Sequence, residues 1–173
     1  MEVVACSNCI VLVVHGTGTL YSRFTFLIPR VREIILLMHH IVHVPDSILR
    51  KILVQAKHAH GIECCGFLAG RDGVITHAFP AANASPNPAT SFEIAPREIL
   101  DRIRAMRAAG IELLGIYHSH PNSPNEPSPS DIAQAYYPDA AYFILSPLPD
   151  TPHPVRAFSI RDGRVTELAI EAV

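Results

Sequence analysis

From Val44 onward the hydrophobic positions switch between two periods, and each switch marks a new element. Ile48, Ile52, Leu53 and Ala56 fall on one face of a helix that opens at Pro45-Asp46 and runs to about Ala59, where Gly61 ends it. Glu63 to Ala69 reads as a strand closed by Gly70. Arg71-Asp72-Gly73 is a tight turn, and Val74 to Phe79 is the hairpin partner. Ala81 to Thr90 is a loop, either functional or simply mobile, and Ser91 to Ala95 reads as a short strand. Pro96 opens a second helix, with Ile99, Ile103 and Met106 at helical spacing and Gly110 as its cap. Leu113 to His118 is an apolar central strand. A short helix follows from Ser128 to about Tyr137, and then a buried strand from Ala141 to Ser146. Val155 to Ile160 and Val165 to Ile170 form a hairpin about Asp162-Gly163. This order predicts an α/β fold, a mixed β-sheet sandwiched by helices.

Residues 1 to 43 lack that regularity. Ile10 to Val14 is β-like, His15 to Thr19 is a turn-rich break, and Arg30 to Ile41 could be a helix. The segment is read as an N-terminal extension of unknown role, and 44–173 as the domain. A packed extra element, a poorly ordered extension and translated sequence upstream of the true start all fit.

Composition narrows the class. At 49% hydrophobic and 17% charged residues the chain is globular rather than disordered. A net charge of −2 with no basic stripe argues against a nucleic-acid partner. No apolar run is long enough to cross a bilayer, and Glu2 without an early Lys or Arg makes a poor signal peptide, so a cytoplasmic location is expected. Cys6-x-x-Cys9 could be half of a zinc knuckle or a redox pair, but no second such pair completes it. Adjacent Cys64 and Cys65 point to opposite faces of their strand. Free thiols are therefore the expectation.

The chemistry concentrates in Gly115-Ile116-Tyr117-His118-Ser119-His120-Pro121, followed by Ser128 and Asp131. Alternate residues of a strand share a face, so His118 and His120 point the same way and can grip one metal ion. Pro121 ends the ladder. Ser128-Pro129-Ser130-Asp131 looks like a helix start, and it brings a carboxylate back beside the imidazoles. Two histidines and a carboxylate leave a fourth position open, as in catalytic zinc sites. Ser128 and Asp131 also fit a helix N-cap with an acidic first turn, which needs no metal. His58 and His60 suit a helix C-terminus, His77 reads as a surface residue, and the remaining histidines lack a companion at ligand spacing.

His-x-His-Pro, six residues, Ser, two residues and Asp together resemble the signature of the JAMM (MPN-plus) metalloprotease family, in its bacterial single-domain form. Glu63, ahead of Gly66-Phe67-Leu68-Ala69-Gly70, resembles the family's catalytic glutamate at the head of a Gly-x-Leu-x-Gly strand. The resemblance implies an MPN/JAB1-type, cytidine-deaminase-like fold over about Val44 to Val173. It implies one Zn²⁺ per chain on His118, His120 and Asp131, with Glu63 as general base and then acid. Ser128 is implied to steady the tetrahedral intermediate. The implied activity is hydrolysis of a peptide or isopeptide bond after the Gly-Gly tail of a ubiquitin-like or sulfur-carrier protein, with a homodimer left open. Two alternatives remain: a non-catalytic MPN scaffold, and a zinc amidohydrolase acting on another small amide or peptide.

Overall fold

The computed structural model describes residues 3–6, 9–12 and 41–173. Strands β1 (Val3–Cys6) and β2 (Cys9–Leu12) form an antiparallel hairpin in which Cys6 stands opposite Cys9. They belong to a compact unit that ends at His39. The turn expected over His15 to Thr19, and nearly all of the helix expected over Arg30 to Ile41, lie outside the described residues.

The unit from His40 to Val173 carries the regular elements. They are β3 (Ile41–Val44), α1 (Asp46–His58), β4 (Cys65–Arg71), β5 (Val74–Ala81), α2 (Pro96–Ala108), β6 (Glu112–Ser119), α3 (Pro129–Ala133), β7 (Ala141–Leu145), β8 (Val155–Arg161) and β9 (Arg164–Ala172). The strands lie in the order β3-β5-β4-β6-β7-β8-β9, and β3 pairs with both ends, so the sheet closes on itself. β3 runs parallel to both neighbours; it meets β9 from Ile41 to Val44 but β5 only where His43 faces Val74. The β6–β7 pair is also parallel, and the others are antiparallel. The sheet is mixed, as the order of elements implies.

Strand β4 is buried along all but its last residue, and β7 along its whole length, because helices cover both faces of the sheet. Ile52 and Ala56 of α1 pack with Cys64, Leu68, Tyr117, Phe143 and Leu145 on one face. Met106 of α2 packs with Cys65, Phe67, Ala69, Ile116, Tyr142 and Ile144 on the other. Consecutive residues thus divide between two cores, and Cys64 and Cys65 part as their adjacency requires. Both thiols are buried and free.

The hairpin turns follow their chemistry. Asp72-Gly73 and Asp162-Gly163 all have positive φ, the pattern that matches strand twist in a two-residue hairpin. Gly66 answers a different demand. A Cβ there would collide with Phe79 O and lie 2.5 Å from the Tyr117 hydroxyl. The space lets the Tyr117 ring cross β4 and donate its hydroxyl proton to Gln55 Oε1 at 2.6 Å, pinning α1 to the strand that carries His118.

Three elements differ from expectation. β3 takes Ile41, Val42 and His43 into the sheet from a stretch with no legible pattern. Ser91–Ala95 joins no ladder: it is irregular chain that buries Ile94. The helix after Ser128 stops at Ala133, well short of Tyr137. Among the described residues no helix is long and apolar enough to cross a membrane.

Candidate metal centre

The register of the two central strands assembles the site. β4 and β6 are antiparallel with Cys65 opposite His118. Continuing that register sets Cys64 opposite Ser119 and Glu63 opposite His120. Hydrogen bonds carry the pairing past the ladder: Ser119 N donates to Cys64 O at 3.0 Å, and Cys64 N to Ser119 Oγ at 2.9 Å. His120 N donates to Leu145 O on β7 at 2.8 Å, which holds the chain in line before Pro121 turns it. Glu63, His118 and His120 are all at least 95% buried, and one ligand atom from each lies within 4.8 Å of the others.

Asp131 arrives from α3. His118 Nε2 is 3.4 Å from Asp131 Oδ1, and His120 Nε2 is 3.4 Å from Asp131 Oδ2. The two Nε2 atoms are 3.0 Å apart. The helix cap and the ligand geometry, alternatives on the sequence, are here the same arrangement. Ser128 Oγ accepts from Asp131 N at 3.2 Å, while Ser128 N and Oγ donate to Asp131 Oδ2 at 2.8 and 2.6 Å. That capping box fixes the carboxylate so that it faces the imidazoles. The loop that returns α3 to the site is itself tied down. Asn125 Nδ2 donates to His153 O at 2.7 Å, and Glu126 pairs with Arg156 at 2.9 Å.

Each histidine is steered differently. His120 donates Nδ1–H to Pro124 O at 2.6 Å, which leaves Nε2 with its lone pair toward the site. His118 stacks on Phe92, with ring centroids 4.4 Å apart and planes 21° from parallel. Its Nδ1 is buried without a hydrogen-bond partner among the described residues. Neither Phe92 nor Pro124 is singled out by the sequence, because an aromatic in a loop and a backbone carbonyl carry no motif.

Charge is unevenly held. Burial pushes the Glu63 carboxyl up to about 7; His120 opposes the rise and Asp131 adds to it. Burial also lowers His118, against the pull of Asp131. Burial works the same way on His120, but Asp131 and the Pro124 carbonyl outweigh it and the net shift is upward. Burial would raise Asp131, yet the two imidazoles and Ser128 hold it well below the usual carboxylate range. Two imidazole nitrogens 3.0 Å apart and a carboxylate that stays ionised, 3.4 Å from each, converge here. Two nitrogens with oxygen suit a borderline ion such as zinc. The residues present fit a metal.

A model of the prokaryotic homologues of the JAB domain matches residues 45–161. The chain belongs to this family. The desampylase of Haloferax volcanii is 36% identical over 104 residues, 59% of this chain and 75% of the relative. A probable TtuB-protein conjugate cleaving protease of Thermus thermophilus is 32% identical over 130 residues, 75% of this chain and 83% of the relative. A JAB1/MPN domain protein from Archaeoglobus fulgidus shares the fold, with a TM-score of 0.51 at 21% identity over 75% of this chain and 97% of that one. The fold is of the MPN/JAB type, and the chain is a hydrolase of the JAMM kind. The family match spans α1 to β8 and includes every residue of the site just described.

Proposed function

We propose that this JAB-family hydrolase is a zinc-dependent isopeptidase that cuts after the Gly-Gly tail of a ubiquitin-like or sulfur-carrier protein. In this reading His118, His120 and Asp131 hold the ion, Glu63 is the general base and acid, and Ser128 assists. The observation that carries it is the convergence of Glu63 on the imidazole pair, with Asp131 3.4 Å from each ring. The relatives, a desampylase and a probable TtuB-protein conjugate cleaving protease, support a protein-conjugate substrate, and the charge of −2 favours a protein partner over nucleic acid. Buried free thiols at Cys64 and Cys65 agree with a cytoplasmic location.

Zinc held by these residues supplies a Lewis acid that acidifies water and polarises a carbonyl. The chain's own residues do the rest. Glu63, with its carboxyl near 7, is poised to take the proton of an attacking water and deliver it to the departing amine. Asp131, far below that range, stays anionic throughout. The Ser128 hydroxyl is engaged with Asp131 at 2.6 Å, so it reaches an oxyanion only by giving up that bond, and steadying Asp131 is its standing task.

The test uses a carrier protein conjugated through its Gly-Gly carboxylate to an amine, with products followed by mass spectrometry. Zinc-loaded wild type is expected to release a carrier ending in Gly-Gly. Glu63→Gln is expected to lose at least about 100-fold in rate with its fold intact, the scale of a positioned general base. Full activity in Glu63→Gln, or in metal-stripped protein, would sink this mechanism. A complete ligand set speaks against the scaffold alternative.

A further inference from the structure

Asn83 lies in the segment joining β5 to α2, and its carboxamide makes four hydrogen bonds. Nδ2 donates to Glu63 O at 2.9 Å and to Ser91 O at 3.0 Å. Oδ1 accepts from Ser85 N at 2.9 Å and Glu93 N at 3.1 Å. That fills the capacity of an amide, and two carbonyls on one side with two N–H groups on the other settle which way it points. The bonds to residues 91 and 93 bracket Phe92, whose ring is stacked on His118. With no hydrogen-bond partner on Nδ1 among the described residues, His118 is steered by that stack instead of by the acceptor that usually orients a metal-ligating imidazole. The same segment also grips Glu63 from its other side, since Glu63 N donates to Pro88 O at 2.6 Å. One side chain therefore joins the backbone of Glu63 to the support of His118.

We propose that Asn83 is a positioning residue for hydrolysis, holding Glu63 through its carbonyl and His118 through Phe92. The proposal rests on the zinc-hydrolase reading above. A merely structural Asn83 would brace the loop and affect melting alone.

Asn83→Asp separates the two roles. It keeps the acceptor for Ser85 and Glu93 but sets an oxygen against the carbonyls of Glu63 and Ser91. Asn87→Asp is the control, with the same charge change in the same segment, at a residue bonded through its backbone N–H and C=O. Four quantities are measured: hydrogen exchange at the Glu63 amide, the zinc dissociation constant by chelator competition, and kcat and KM on a Gly-Gly conjugate. In Asn83→Asp the Glu63 amide is expected to exchange faster. Zinc affinity and kcat are each expected to fall about 10- to 100-fold, with KM within about twofold of wild type. Asn87→Asp is expected to match wild type. If Asn83→Asp does not fold, Asn83→Ser takes its place under the same thresholds. Exchange, zinc affinity and kcat equal to those of Asn87→Asp would overturn the proposal, as would a lowered melting temperature with zinc affinity and kcat unmoved. A wild type that neither binds zinc nor cleaves overturns the functional reading, while exchange at the Glu63 N–H, bonded to Pro88 O, still decides whether Asn83 holds its segment against Glu63.

Discussion

At Glu63 a carboxyl group is buried opposite His120 and within the field of Asp131, and its pKa rises from 4.5 to about 7. A carboxyl raised on folding gives stability that is fully present below its unfolded pKa and lost as pH climbs through the folded one. Without metal, the ionised Glu63 is thus a liability at pH 8, and its neutral isostere is not. Metal-free Glu63→Gln is expected to melt above metal-free wild type at pH 8, with the gap closing below pH 5; equal melting at both pH values would contradict the burial account. Cys65 shifts the same way. Burial, with smaller contributions from Cys64, Glu98 and Glu63, pushes its thiol from 9.0 up to about 12. The stability tied to that proton is intact below about 9 and lost between there and 12. Unfolding midpoints in urea are expected to fall across this alkaline window, and less steeply in Cys65→Ala.

Among the elements, α3 is where stability and chemistry share the same atoms. It has five residues, too few to hold itself, and its capping box is also what aims Asp131 at the histidines. Ser128→Ala should cost about 1 kcal/mol as a lost N-cap. It should also weaken zinc binding, because Asp131 Oδ2 loses its 2.6 Å bond. Chelator competition on Ser128→Ala checks this, and unchanged zinc affinity would show that the cap does not set the ligand. The approach of Asp131 to His118 and His120 is legible in the sequence because these residues sit on a strand end and a helix start that local rules describe. Placing Glu63 opposite His120 is not, since it depends on β4 and β6 pairing across more than fifty residues and on their register. Phe92 and Asn83 lie in a segment that makes no ladder, where alternation suggests a strand but does not say which side chains the segment touches. The same limit explains Ser91–Ala95: alternating apolar residues there bury Ile94 against a helix-covered core without a strand partner.

On the scale of the molecule, the fold class follows from the order of its elements, but closure of the sheet does not. Closure depends on β3, four residues with only Val44 fully buried, which reads as ordinary chain until β9 and β5 are seen on either side. A variant beginning at His40 is expected to fold and to keep its zinc-dependent activity, while one beginning at Pro45 loses the strand that joins the two ends of the sheet. Circular dichroism melting of the pair checks this: similar melting temperatures would mean that β3 contributes nothing to the fold. Two imidazoles and a capped aspartate are expected to form one metal site inside this sheet. Zinc content of the purified protein, set beside that of the His118→Ala/His120→Ala variant, decides whether they do. One zinc per chain in the wild type and none in the folded variant is the expected result; a zinc-free wild type after loading, or a variant that keeps its ion, would contradict it.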